Sequence, residues 1–265
     1  MRRVVFNQKG GVGKTSITCN LAAIGAAMGY KTLVIDLDVQ GNTTHYLVGE
    51  IDAEAFPAEA QGVAGLFKQT VGSRKMRQNP DSFVWDTPYE NLFLMPSSPV
   101  LSDMEKELES RYKIYKLRDA LEKLDDEYDR VYIDTPPNFN FYSKAALIAA
   151  DAVLIPFDCD SFARQSLYSL LDNIAELRED HNPDLEVEGI VINQFNSQAR
   201  LPSELVDELE EEGMPIFGSY LNTSVKMKES HRDHRPLIDL APSHKLTGQF
   251  LDLHAELEKT LAAAA

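Results

Sequence analysis

Short apolar runs recur along the chain at Val4–Phe6, Thr32–Ile35, Leu92–Met95, Val131–Ile133, Ala152–Phe157, Ile190–Ile192 and Ile216–Phe217. Runs of this kind suit buried strands, and most are separated by stretches long enough for a helix. Between Ser16 and Met28 the residues Ile17, Leu21, Ile24 and Met28 fall at the spacing of one helix face. Asp103–Arg130, rich in Glu and Lys with spaced Leu and Tyr, reads as a surface helix or a helix pair. Leu246–Leu261 carries Phe250, Leu251, Leu253 and Leu257 and reads as a packing helix. The alternation predicts an α/β fold, a single domain over residues 1–265 built on a mostly parallel, twisted β-sheet with helices on both faces. Residues 51–91 break the pattern: Pro57, Gly62, Gly72, Pro80 and Pro88 mix with Trp85, which predicts short helices and an irregular, exposed arm.

Between the first run and the first helix stands Lys9-Gly10-Gly11-Val12-Gly13-Lys14-Thr15. Glycines let successive backbone N–H groups turn onto phosphate oxygens, and the helix starting near Lys14 adds the positive end of its dipole. Lys14 supplies a full positive charge and Thr15 a hydroxyl suited to Mg2+. Lys9 to Ser16 are therefore the expected binding segment for ATP. The strict phosphate-loop pattern asks for a glycine five residues before Gly13. That position is Gln8, and a second lysine, Lys9, stands beside it.

Three further strand ends carry polar groups. After Thr32–Ile35 comes Asp36-Leu37-Asp38, and alternation along an extended strand end points both carboxylates to one side, toward the phosphates. One supports the Mg2+ shell while the other orients water, with Asp36 a candidate for the outer part of the metal site; each also suits a turn or a helix N-cap. Val131–Ile133 ends in Asp134-Thr135-Pro136-Pro137, the form of a Walker B aspartate that holds Mg2+ together with Thr15. Ile190–Ile192 ends in Asn193, which can offer a donor and an acceptor to an adenine edge or simply close the strand.

Composition narrows the class. The net charge is −16, from 42 acidic against 26 basic residues, so the surface is not basic throughout, although local patches are. Lys226, Lys228, Arg232 and Arg235 crowd together with His231 and His234, and Arg74, Lys75 and Arg77 form a second cluster. The only cysteines, Cys19 and Cys159, lie in apolar surroundings that suit free thiols, which argues against a zinc or iron–sulfur site. No stretch approaches the length of a membrane span and no signal-peptide pattern opens the chain, so a cytoplasmic protein is expected. The charges Asp252, Glu256 and Glu258 argue against membrane binding by the final helix.

Lys9–Thr15, Asp36–Asn42 and Asp134–Pro137, in that order, resemble the ParA family of deviant Walker A ATPases, relatives of MinD. Ser224–His231 with Arg235-Pro236-Leu237 resembles a degenerate form of the segment before that family's last helix. The resemblance spans most of the chain. It implies a homodimer in the ATP state, in which Lys9 reaches the phosphates of the partner's nucleotide. It also implies that Asp38 orients the attacking water and that slow hydrolysis is stimulated by a ParB-like or other adaptor. Members segregate or position plasmids, chromosomes or polar assemblies such as chemotaxis arrays, and many bind DNA nonspecifically. Where the family often carries two arginines, this chain has Thr223 and Lys226, so Lys226, Lys228, Arg232 and Arg235 are candidates for DNA phosphates or for an ordinary solvated surface. The rivals are a biosynthetic ligase on the same loop and a nucleotide-gated binding protein with negligible hydrolysis.

Overall fold

Alternate residues of the inner strands feed two apolar layers, which is what a sheet covered on both faces requires. The computed structural model describes residues 1–49, 61–69, 78–160, 163–196 and 198–264. In chain order these form β1 (Arg2–Val5), α1 (Lys14–Ala27), β2 (Thr32–Asp36), α2 (Asn42–Val48), α3 (Gly62–Lys68), β3 (Trp85–Asp86), β4 (Leu92–Met95), α4 (Leu101–Ser110), α5 (Lys116–Leu121) and β5 (Arg130–Asp134). There follow α6 (Phe141–Ala149), β6 (Ala152–Asp158), α7 (Ala163–His181), β7 (Glu186–Asn193), α8 (Arg200–Glu211), α9 (Val225–Arg232), α10 (Leu237–Leu240) and α11 (Lys245–Ala264).

The sheet runs β3-β4-β2-β5-β1-β6-β7. Among the described residues, only the edge pair β3–β4 is antiparallel. Val4, Leu33, Ile35, Ile133, Val153 and Ile190 face one layer, with residues of α4 to α8. Val5, Val34, Tyr132, Leu154 and Val191 face the other, with Ile17, Leu21 and Ile24 of α1 and Phe250, Leu253 and Leu257 of α11. Parallel register gathers the polar strand ends at one edge: Asp36 lies opposite Asp134, Val5 opposite Asp134, and Asp158 opposite Asn193.

Three expectations change. Ile216–Phe217 is not a strand: after Pro215 the chain meets Ile190 in a single bridge. Phe217 then presses on Gly189, where an added Cβ would lie 2.3 Å from its ring. Met28 lies past the end of α1 and is 54% exposed, so it does not join Ile17, Leu21 and Ile24 in the core. Within the expected arm, α3 buries Val63, Leu66 and Phe67 in the core, and Trp85–Asp86 adds the antiparallel edge strand. The cluster Arg74, Lys75 and Arg77 lies outside the described residues, as do residues 50–60 of that arm.

Candidate functional site

The loop after β1 is held from behind. Gly11 and Gly13 adopt φ of 79° and 94°, which glycine enters without the steric penalty of a side chain. A Cβ on Gly13 would lie 2.1 Å from Asn193 Nδ2, whereas one on Gly10 or Gly11 would meet nothing within 4 Å. The loop is thus tight against β7 and open on its other side. Asn193 Nδ2 donates to the Val12 carbonyl (2.8 Å) and Gln194 Nε2 to the Gly11 carbonyl (2.7 Å). Asn193, expected to face an adenine edge, here spends an amide donor on propping the loop. No side chain caps the start of α1, so its first-turn N–H groups and positive dipole end remain directed at the loop.

The two lysines have separate surroundings. Lys14 is buried and its Nζ donates to the Lys9 carbonyl at 3.0 Å. Burial lowers its pKa, opposed by the charges of Asp134 and Asp38. Lys9 Nζ instead pairs with Asp158 at 2.7 Å and Asp160 at 2.5 Å. Burial works against the Lys9 charge, but the hydrogen bonds it donates to those carboxylates prevail and raise its pKa.

Opposite Lys14 stand the carboxylates. Asp134 Oδ2 accepts from Thr15 Oγ1 (2.7 Å) and Thr43 Oγ1 (2.6 Å), and its Oδ1 accepts from the Thr135 N–H (3.1 Å). Asp36 accepts from the Asp38 N–H (3.1 Å) and from the N–H and hydroxyl of Thr44 (2.8 and 2.7 Å). Asp36 and Asp38 therefore do not share a free face: Asp36 is fully buried and ties down the turn that carries Asp38. Asp38 accepts from the Gln40 N–H at 3.0 Å. Burial, reinforced by Asp134, pushes Asp36 up to about 8. Burial likewise pushes Asp134 up to about 6 against the hydrogen bonds of Thr43 and Thr15.

This donor set fits a hard divalent cation. A hydroxyl and a carboxylate in contact, both oxygen ligands, lie beside the open loop, and Asp134 would be relieved of its burial penalty by a positive charge. Among the described residues, no group of three or more His, Cys, Asp or Glu could hold a metal ion. Mg2+ needs none, because it keeps waters and completes its shell with phosphate oxygens.

From the same first turn of α1, Ser16 Oγ meets His231 Nε2 at 2.8 Å, and the His231 ring stacks on Tyr46 at 4.5 Å. Burial, then the charge of His234, lowers the His231 pKa. A cavity of about 620 Å3 opens here beside Thr15, Asn42, His45 and His234. The four candidate nucleic-acid residues lie on α9 and just beyond it. Lys226 pairs with Glu229, Arg232 with Asp233 (2.7 Å) and Arg235 with Asp239 (2.6 Å), while Lys228 is exposed. Sequence reasoning did not single out Thr43, Gln194, Asp158 or the Ser16–His231 contact. The adjacent threonines after Asn42 and the amide after Asn193 were its only available signals.

A strand, a glycine loop and a helix, with the loop threonine touching a strand-end aspartate, define a phosphate-loop nucleotide-binding protein. Residues 3–187 match the AAA domain family. The chain is 31% identical over 258 residues to the chromosome partitioning protein ParA of Myxococcus xanthus, covering 96% of this chain and 87% of that one. The ATP complex of Cyanothece McdA(D38A) superposes with a TM-score of 0.82 at 25% identity, over 99% of this chain and 96% of the other. Cobyrinic acid a,c-diamide synthase of Mycobacterium smegmatis, with an ATP analogue and magnesium bound, gives 0.74 at 27% identity over 88% and 92%. The chain belongs to the ParA family of phosphate-loop ATPases. No helix among the described residues is long and apolar enough to cross a membrane.

Proposed function

We propose that this chain is a ParA-like ATPase that dimerises around ATP and uses slow, adaptor-stimulated hydrolysis to segregate DNA or position a protein assembly. The observation that carries the reading is the division between the lysines. Lys14 lies inside its own loop, while Lys9 is turned away to Asp158 and Asp160, from which it would exchange to the nucleotide of a second copy. In this reading Gly10 to Ser16 cradle the phosphates, and Thr15 and Asp134 hold Mg2+, with Asp36 behind them. Bound Mg2+ supplies electrostatic neutralisation of the phosphates. Asp38, at the open end of β2, orients the attacking water, and the lysines offset charge on the transferring group. Asn193, which braces the loop at the end of β7, flanks the nucleoside.

The test uses Asp38→Ala in the whole protein. ATP should convert it to a dimer by light scattering, ADP should not, and turnover should fall by roughly 100-fold or more. Retained turnover removes Asp38 from its role, and a monomer under both nucleotides defeats the sandwich. Nonspecific DNA binding through Lys226, Lys228, Arg232 and Arg235 is the finer part of the proposal. ATP-loaded protein should then bind random duplex DNA with an affinity that falls steeply with salt. The likeness to the diamide synthase favours a second reading, a small-molecule ligase. ADP release that depends on a small-molecule substrate, and not on DNA or an adaptor, would select it.

A further inference from the structure

Asp134 Oδ2 is held twice, by Thr15 from α1 and by Thr43 from the first turn of α2. Thr43 is fully buried. Its single hydroxyl proton is committed to Asp134, because its oxygen faces the Cys19 thiol, which donates to it at 3.6 Å. That chain of donors fixes the rotor, so Thr43 can only give to the carboxylate. Thr43 also sits directly after the Asp38–Asn42 turn, whose other anchor is Asp36 with Thr44.

We propose that Thr43 is a positioning residue for the Mg2+ site. It holds the Asp134 carboxylate in place independently of Thr15, leaving the Thr15 oxygen free to meet the cation, and it ties that carboxylate to the turn carrying Asp38. A buried threonine that merely fills space would need no such donor. The inference rests on the Mg–ATP reading above and assigns one more residue to it.

The experiment is a titration of the full chain and a fluorescent, non-hydrolysable ATP analogue with MgCl2. Thr43→Val keeps the volume and removes the hydroxyl, and it should require roughly tenfold more Mg2+ for half-maximal binding. Binding in EDTA should be unchanged, and Thr43→Ser should restore the Mg2+ midpoint to within about twofold, since the donor alone is at issue. Thr43→Ala provides a second hydroxyl-free variant should valine disturb the fold. A wild-type Mg2+ midpoint in both hydroxyl-free variants overturns the proposal, as does equal weakening with and without Mg2+. If the wild-type protein binds the analogue without any response to Mg2+, the Mg–ATP reading falls with it.

Discussion

The phosphate-loop edge and the α9 surface both concentrate charge, yet they satisfy it in opposite ways. At the loop, the partners are far apart in sequence: Thr15 and Asp134 by 119 positions, Thr43 and Asp134 by 91, Asn193 and Val12 by 181. On α9 and just after it, Lys226, Arg232 and Arg235 take partners three, one and four residues away. Long-range contacts of buried groups can form only if the whole sheet is correct, so they mark a site built by the fold. Short-range pairs between exposed groups form on almost any helix and are individually weak. The contrast separates groups that the architecture places from groups that are merely adjacent.

Breaking the first region should cost most. Lys14→Ala removes a buried cation that lies within the field of Asp134 and Asp38. It should weaken ATP binding by about 2–3 kcal/mol, roughly 30- to 150-fold in Kd, measured by calorimetry. A change of less than about twofold would deny the loop its role. Protonation probes the same region more gently. Asp36 rises from 3.8 to about 8, so the folded, ligand-free protein binds more protons than the unfolded chain across that interval. Stability is therefore fully present below about pH 4 and lost as pH rises toward about 8, insofar as this group is concerned. The melting temperature should fall by several degrees between pH 6 and 8.5, at about 2–4 °C per kcal/mol for a chain of this size. Mg2+ with nucleotide should flatten that slope by neutralising Asp134. A melting temperature that rises over this range would contradict it. The smallest effect belongs to α9: Arg232→Gln should leave the melting temperature unchanged in a thermal scan. A clear drop would make the α9 pair structural and erase the contrast.

Sequence patterning revealed the parallel strands because each is a short apolar run bounded by chemistry. The loop was legible because left-handed backbones such as those of Gly11 and Gly13 favour glycine, and Asp134 because a carboxylate closing a buried strand is costly without a purpose. What stayed hidden depends on three-dimensional register. Trp85–Asp86 is too short to show alternation, and it becomes a strand only by lying along β4. The segment around Val63 and Phe67 reads as short helices in an exposed arm, and α3 is such a helix; what the local pattern does not show is that it packs inward. Asp36 and Asp38 looked equivalent two residues apart. Their difference comes from Thr44, eight positions from Asp36, whose N–H and hydroxyl close on one carboxylate only.

Asn193 and Gln194 brace the loop from outside, and Gln194 accepts a left-handed backbone at φ 54° at the same position. Such bracing means the receptacle has its shape before any guest arrives, so little ordering entropy remains to be lost on binding. A receptacle of constant shape is also a poor judge of its contents. In the proposed reading it would grip the phosphates that ATP and ADP share, and the distinction between them would be drawn at its borders. Those borders would be Lys9, held by a pair of ion contacts, and Asp38, held by a short turn and through its carbonyl, which accepts from Ser97 Oγ.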